Sequence, residues 1–320
     1  VSDQPDAAGP AAGRAGPAIV CAGLTKDYGQ GRGVFDLDLE IRRGEIFGLI
    51  GPNGAGKTTM IRLLMDLIRP DRGAATLLGL AARSDSLAIK RRVGYLPGEL
   101  PQFPGVSAGQ VIGLLARLRG GVDPDRLRLL AERLDLDLGR KFSDLSHGNK
   151  QKVGLIQAFM HEPELLILDE PTLGLDPLMQ REFRRLVQES VDAGGTVLLS
   201  SHVLAEVELV CDRIGLIRGG RMLRAGSLTE LRTARRHQID AVIGGRRDVA
   251  ELAAIHGVTD AQVVGDRVSC TVVGPVGALL AWLSAGDVLE LDSRELSLEE
   301  VFLDEFQPAA IPPERPGPGR

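Results

Sequence analysis

Long apolar runs are missing from this chain. No stretch approaches the roughly 18 to 20 residues that a helix needs to cross a bilayer, so the polypeptide is expected to be soluble by itself. The N-terminus has neither the basic flank nor the apolar stretch of a signal peptide. Cysteine is scarce too. Cys21, Cys211 and Cys270 are odd in number, scattered and outside any CxxC spacing, which argues against a disulfide framework or a zinc site and points to a reducing cytoplasm. A basic field is also lacking: 38 Lys and Arg stand against 43 Asp and Glu, a net charge of −5 with both signs interspersed. Nucleic acid is therefore not an expected partner.

What is present suits a two-domain protein, since 320 residues at roughly 100 to 200 per domain leave ample apolar content for a core. Residues 1–17 are rich in Ala, Gly and Pro, and residues 307–320 repeat Pro, so both tails are expected to be disordered. Between Ile19 and Leu49 short strands alternate with turns. Ile19-Val20 opens the pattern, a Gly29–Gly33 turn follows, and residues 34–41 alternate with period two, which predicts a small antiparallel layer.

From Ile46 the signals change to a buried strand (residues 46–50), a glycine loop and a helix with Met60, Leu64 and Leu67 on one face, ending near Arg69-Pro70. Residues 107–160 read as mostly helical. Two nearly continuous apolar runs, residues 165–168 and 196–199, then suit parallel strands covered on both faces. After Leu231 the pattern is strand 238–243, helix 248–255, strands 259–264 and 267–273, helix 276–284 and strand 287–292. That βαββαβ order predicts a ferredoxin-like α+β unit, closed by a helix in which Ser297 and Glu300 form a capping box before Val301, Phe302 and Phe306.

Gly51-Pro52-Asn53-Gly54-Ala55-Gly56-Lys57-Thr58, with Thr59 after it, fits GxxxxGK[ST]. Its glycines let successive N–H groups turn inward around phosphates, Lys57 reaches the β- and γ-oxygens, and the Thr58 hydroxyl ligates Mg²⁺. Its place after a buried strand and before a helix adds the anion affinity of a helix N-terminus. Downstream, the run 165–168 ends in Asp169-Glu170, at the end of a strand that faces the ligand crevice in open α/β sheets. Asp169 is suited to hold Mg²⁺, and Glu170 to polarise the attacking water.

These residues resemble the ATP-binding cassette (ABC) ATPases. Leu145-Ser146-His147-Gly148-Asn149 is similar to that family's LSGGQ signature, although His147 and Asn149 replace its usual glycine and glutamine. The resemblance implies that Ser146 and Gly148 contact the γ-phosphate of an ATP held by a second copy, so that hydrolysis needs a homodimer. Leu173-Gly174-Leu175-Asp176 resembles the loop that couples the two sites, with Asp176 at the shared interface. His202 resembles the switch histidine that touches the γ-phosphate and positions Glu170. Tyr28 resembles the aromatic that stacks on adenine. One departure concerns the glutamine expected after the strand Val93–Pro97: that position is Gly98, so either Glu99 or Gln102 substitutes or the lever toward the membrane partner is lost.

The implied fold is α/β: a P-loop cassette over residues 18–231, with parallel core, antiparallel subdomain and a helical subdomain at about 99–160, followed by the small α+β domain at 232–306. That second domain, through the run Ser297-Leu298-Glu299-Glu300-Val301-Phe302-Leu303, resembles the C-terminal appendage of bacterial exporter ATPases whose permeases are of ABC-2 type, the alternative being a generic dimerisation or stability domain. The implied activity is ATP hydrolysis powering export, of drug-like or lipophilic cargo, through a separate membrane permease, with the chain peripheral on the cytoplasmic face. A soluble ABC ATPase acting on ribosomes or DNA is the alternative. Those usually carry two cassettes or a long heptad insertion, and neither is present. A GTPase would need NKxD, but Asn149-Lys150 is followed by Gln151-Lys152. The preference for Arg over Lys, with abundant Ala and Gly, looks like a GC-rich bacterial genome.

Overall fold

The computed structural model describes residues 16–232, 236–245 and 248–295. The expected capping box at Ser297 and Glu300, the helix with Val301, Phe302 and Phe306, the tail after 307 and most of the tail before 18 lie outside them. Two compact units divide between Gly226 and Ser227, a little before the boundary expected at 231.

In the first unit an antiparallel sheet has the order β2-β1-β4-β5, formed by β1 (Ile19–Asp27), β2 (Gly33–Ile41), β4 (Arg72–Leu77) and β5 (Leu80–Ala81). The period-two pattern of β2 does what alternation requires: Val34, Leu37, Leu39 and Ile41 are buried while Asp36, Asp38 and Glu40 face out. Strands β1 and β2 pair with Ile19 opposite Ile41 and Asp27 opposite Gly33, so the turn between them projects as a short loop from Tyr28 to Arg32.

A second sheet has the order β10-β9-β3-β8-β7-β6. It comprises β3 (Ile46–Ile50), β6 (Val93–Leu96), β7 (Leu165–Asp169), β8 (Thr196–Ser201), β9 (Arg213–Arg218) and β10 (Arg221–Ser227). Every residue of β3, β7 and β8 is buried, as their unbroken apolar runs require of strands covered on both faces. Neighbours β9, β3, β8, β7 and β6 are parallel, with Ile50 opposite Ser201 and Asp169 opposite Ser200. Three strands therefore release their chains side by side on one edge: β3 into the phosphate loop, β8 into His202 and β7 into Glu170.

Helix α1 (Lys57–Leu64) packs on β7. Met60 and Leu64 are fully buried as expected, but Leu67 is 52% exposed. The helix ends before it, because Asp66 takes a left-handed φ of 50° and turns the chain away. Helices α2 (Ser86–Arg92), α3 (Ala108–Leu118), α4 (Pro124–Arg133) and α5 (His147–Phe159) occupy the middle of the chain. Helix α3 starts at a Ser107–Gln110 capping box and α4 at Asp123 with Pro124 behind it, both local devices that satisfy free N–H groups. Then α6 (Pro177–Asp192) and α7 (Leu204–Glu208) pack on β8.

The second unit begins with α8 (Leu228–Arg232) and continues as β11 (Arg236–Gly244), α9 (Val249–Ala253), β12 (Val258–Val264), β13 (Arg267–Val273), α10 (Gly277–Ser284) and β14 (Asp287–Glu295). Its sheet order is β12-β13-β11-β14 with all neighbours antiparallel, the topology of a ferredoxin-like βαββαβ unit. Ile239, Ala241, Ile243, Val268, Cys270 and Val272 supply its own core, with Leu252 and Leu283 from the helices.

Candidate functional site

The phosphate loop leaves β3 at Gly51 and enters α1 at Lys57. Gly56 caps the helix at φ 110° with no side-chain hydrogen bond, and no acid stands in the first turn. The first N–H groups of α1 therefore meet neither a side-chain acceptor nor a competing carboxylate, which is what an incoming phosphate needs. Gly56 has no room for a side chain: an added Cβ would lie 2.9 Å from the carbonyl oxygen of Gly33. Lys57 is only 6% exposed. Its Nζ donates to the Gly51 carbonyl at 2.6 Å and the Pro52 carbonyl at 3.4 Å, and pairs with Glu170 Oε1 at 3.2 Å.

Glu170 is the hub of the cluster. Its other carboxylate oxygen, Oε2, lies 2.9 Å from His202 Nδ1, so one carboxylate bridges the phosphate-loop lysine and the histidine. The residue adopts a left-handed φ of 49°, a conformation that costs of order 1–3 kcal/mol outside glycine and persists only where neighbours hold it. Ser200 and Gln151 hold it. The Glu170 N–H donates to Ser200 Oγ at 3.0 Å, and Gln151 Nε2 donates to the carbonyls of Glu170 at 3.0 Å and Pro171 at 3.1 Å. Ser200 Oγ donates in turn to Asp169 Oδ1 at 2.5 Å, tying both acids to one hydroxyl.

Asp169 is fully buried, and its Oδ2 has no hydrogen-bond partner. An orphaned carboxylate oxygen beside the Glu170 cluster fits a divalent cation or its bound water. No group of three or more His, Cys, Asp and Glu among the described residues forms a metal cage. Mg²⁺ takes one or two protein oxygens and completes its shell with phosphates and water, and Thr58 and Asp169 are the residues that would hold it. Burial, and then the charge of Asp169, push the Tyr95 phenol up to about 12, so that hydroxyl stays protonated beside the acids. Burial likewise raises the thiols of Cys21 and Cys270 to about 12 and about 11, and Cys211 upward, which leaves no reactive thiolate.

A cleft of about 590 Å³ runs along the loop. Residues 52–59 form its floor, Glu170 stands at one end, and Tyr28, Arg32 and Gly33 form a wall. Tyr28 is 47% exposed, with the Lys26 ammonium 5.8 Å over its ring, and Lys26 is itself paired with Asp71 at 2.8 Å. One face of the ring is thus backed by a fixed cation.

Three predicted residues join neither this cleft nor the Glu170 cluster. Ser146 caps α5 by accepting from Asn149 N at 3.3 Å, and Asp176 caps α6 by accepting from Leu178 N at 2.9 Å and Met179 N at 3.0 Å. Gly148 packs so closely on the next loop that an added Cβ would lie 2.3 Å from the Gly174 carbonyl oxygen. Gly98 sits directly over Asp169, since a Cβ there would come within 3.2 Å of its Oδ2. Neither candidate substitute reaches in: Glu99 is exposed, and Gln102 Oε1 accepts from Lys150 Nζ at 3.4 Å on α5. Residues that sequence reasoning missed are Ser200, Gln151 and Arg32. The first two left a faint signal, polar side chains within otherwise buried stretches; Arg32 left none.

With this geometry in place, comparison with known proteins decides the family. A family model described as ABC transporter matches residues 34–173. The daunorubicin resistance ATP-binding protein of Streptomyces coeruleorubidus is 34% identical over 90% of this chain and 94% of its own length. The chain belongs to the ABC transporter family. It is an ATP-binding subunit and an ATPase of that family. The linearmycin resistance ATP-binding protein of Bacillus subtilis is 31% identical over 88% of this chain and 96% of its own length. The bacitracin transport ATP-binding protein of Enterococcus faecalis is 34% identical over 75% and 79%. A solved ATP-binding subunit of an ABC transporter shares 31% identity at a TM-score of 0.62, covering 67% of this chain and 92% of that one. A dimeric bacterial ABC transporter cassette, 22% identical at a TM-score of 0.60, shares the fold. Among the described residues no helix is long and apolar enough to cross a membrane, and cassettes of this family work as dimers with membrane permeases.

Proposed function

We propose that two copies of this chain close head to tail around two ATP·Mg²⁺ and drive export through a separate permease of ABC-2 type, from the cytoplasmic face of the membrane. The cargo class is drug-like or lipophilic, in keeping with relatives named for bacitracin transport and for daunorubicin and linearmycin resistance. Tyr28 stacks on the base, the amides of residues 51–59 and Lys57 hold the phosphates, and Ser146, Gly148 and the Asp176 loop of the other copy complete the site.

The observation that carries the mechanism is the bridge made by Glu170, with Oε1 on Lys57 and Oε2 on His202. An incoming γ-phosphate offers Lys57 oxygens in place of the carboxylate, which frees Oε1 to accept a proton from water attacking in line, while His202 keeps Oε2 in place. The bond from the γ-phosphorus to the bridging oxygen breaks, giving ADP and phosphate. Thr58 and Asp169 would hold Mg²⁺, which would supply charge neutralisation on the phosphate. Glu170→Gln removes the proton acceptor but not the phosphate contacts. Its turnover is expected to fall at least about 100-fold, with ATP affinity kept. A variant that hydrolyses at the wild-type rate would remove Glu170 from the chemistry.

A further inference from the structure

Arg32 is an exposed guanidinium in the wall of the nucleotide cleft with no ion-pair or hydrogen-bond partner among the described residues. The acids at the ends of the strands that flank its loop have partners of their own. Asp27 accepts from the Gly29 N–H at 2.7 Å, Asp71 is held by Lys26 at 2.8 Å, and Asp36 faces Arg72 at 3.6 Å and Arg221 at 3.5 Å. The other cation of the cleft, Lys57, is gripped by two carbonyls and Glu170. Arg32 alone among the cations lining the cleft is uncommitted within the described structure.

Its position is fixed by the loop that carries it. Tyr28 N donates to Arg32 O at 2.9 Å and Arg32 N to Gly29 O at 3.1 Å, closing a tight loop whose inner residues Gly29, Gln30 and Gly31 all have left-handed φ. Tyr28 and Arg32 thus stand side by side at its stem. The next residue, Gly33, presses its carbonyl against Gly56, immediately before Lys57 and Thr58. Arg32 therefore lies between the ring suited to a base and the first turn of α1 suited to phosphate, where the middle of a nucleotide would pass. A guanidinium offers its N–H groups in a rigid fork that matches phosphate oxygens.

We infer that Arg32 is a further nucleotide-binding residue, whose guanidinium takes the α-phosphate, the part of the chain that ATP and ADP share. The inference rests on the cleft being the ATP site. In the full-length chain, Arg32→Ala should weaken binding of ATP and of ADP by the same factor, about tenfold, in equilibrium titrations with Mg²⁺ present. Arg32→Lys should recover part of the loss, since it restores charge without the fork, and the loss should shrink as salt is raised. Thermal melting without nucleotide should be unchanged, because the side chain is exposed and unpaired. Unchanged affinity for both nucleotides, while Tyr28→Ala and Lys57→Ala lose theirs in the same assay, would overturn the role of Arg32 alone. A loss confined to ATP would also overturn it, by placing the guanidinium at the γ-phosphate. If all three variants bound normally, the nucleotide cleft itself would be misassigned and the proposal would fall with it.

Discussion

The phosphate-loop side and the signature side of the cassette are built from the same ingredients but finished differently. At the first, Lys57, Glu170, His202 and Ser200 close on one another through hydrogen bonds and ion pairs drawn from three adjacent strand ends. At the second, Ser146 and Asp176 act as N-caps of their own helices, and among the described residues no side chain of the reacting cluster hydrogen-bonds to them. One region is a cluster of side chains bonded to one another; the other is a pair of capped helix starts. The difference is what the proposed pairing of two half-sites requires of a single copy, and substitutions should separate them.

Lys57→Ala gives the largest expected effect, loss of ATP affinity by at least about 100-fold in equilibrium titration. An unchanged affinity would sink the phosphate-loop assignment. Next in size is Ser200→Ala. It frees the Glu170 backbone from its left-handed hold and leaves Asp169 Oδ1 without its donor, so turnover should fall about 10- to 100-fold with a smaller change in ATP affinity. Equal losses in binding and turnover would mean that Ser200 serves the fold rather than the alignment of the acids.

Much of the first region was legible in the sequence. The phosphate loop announces itself by glycine spacing, and the acids by an apolar run that ends in Asp169-Glu170. The order of the strands, which places His202 beside them, was available only through family resemblance. The rest was out of reach for physical reasons. Ser200 and Gln151 act through main-chain groups of residues distant in sequence, and nothing in a serine within a strand tells which carbonyl or amide it will meet. The Lys57–Glu170 pair joins residues far apart in the chain. The end of α1 was misjudged because Asp66 adopts a left-handed turn that apolar spacing cannot reveal. In the second unit the order of strands and helices was readable, with element ends within three residues, although β14 shows no inward face: residues 287–294 are all exposed.

On the signature side the expected effects are smaller in binding and confined to turnover. Ser146→Ala should leave ATP affinity within about twofold and lower turnover about tenfold, the cap loss being tolerated by a long, well-packed α5. A mixture of Ser146→Ala with Lys57→Ala chains should then regain no more than one working site per dimer, and full activity in that mixture would contradict action in trans. The smallest effect is expected at Gly98. Gly98→Ala brings a methyl within 3.2 Å of Asp169 Oδ2, a contact tight enough to shift the carboxylate by a few tenths of an ångström. It should raise the Mg²⁺ concentration needed for half-maximal turnover by about twofold, and a large loss of ATP binding instead would place Gly98 in the nucleotide cleft.

The claim that one ATP needs two copies is tested most directly by sedimentation velocity on the Glu170→Gln chain with saturating ATP and Mg²⁺. A dimer should form there and not without nucleotide, and Ser146→Ala in the same background should return it to monomer. A chain that stays monomeric under saturating ATP, or that dimerises equally well without Ser146, would contradict the composite site.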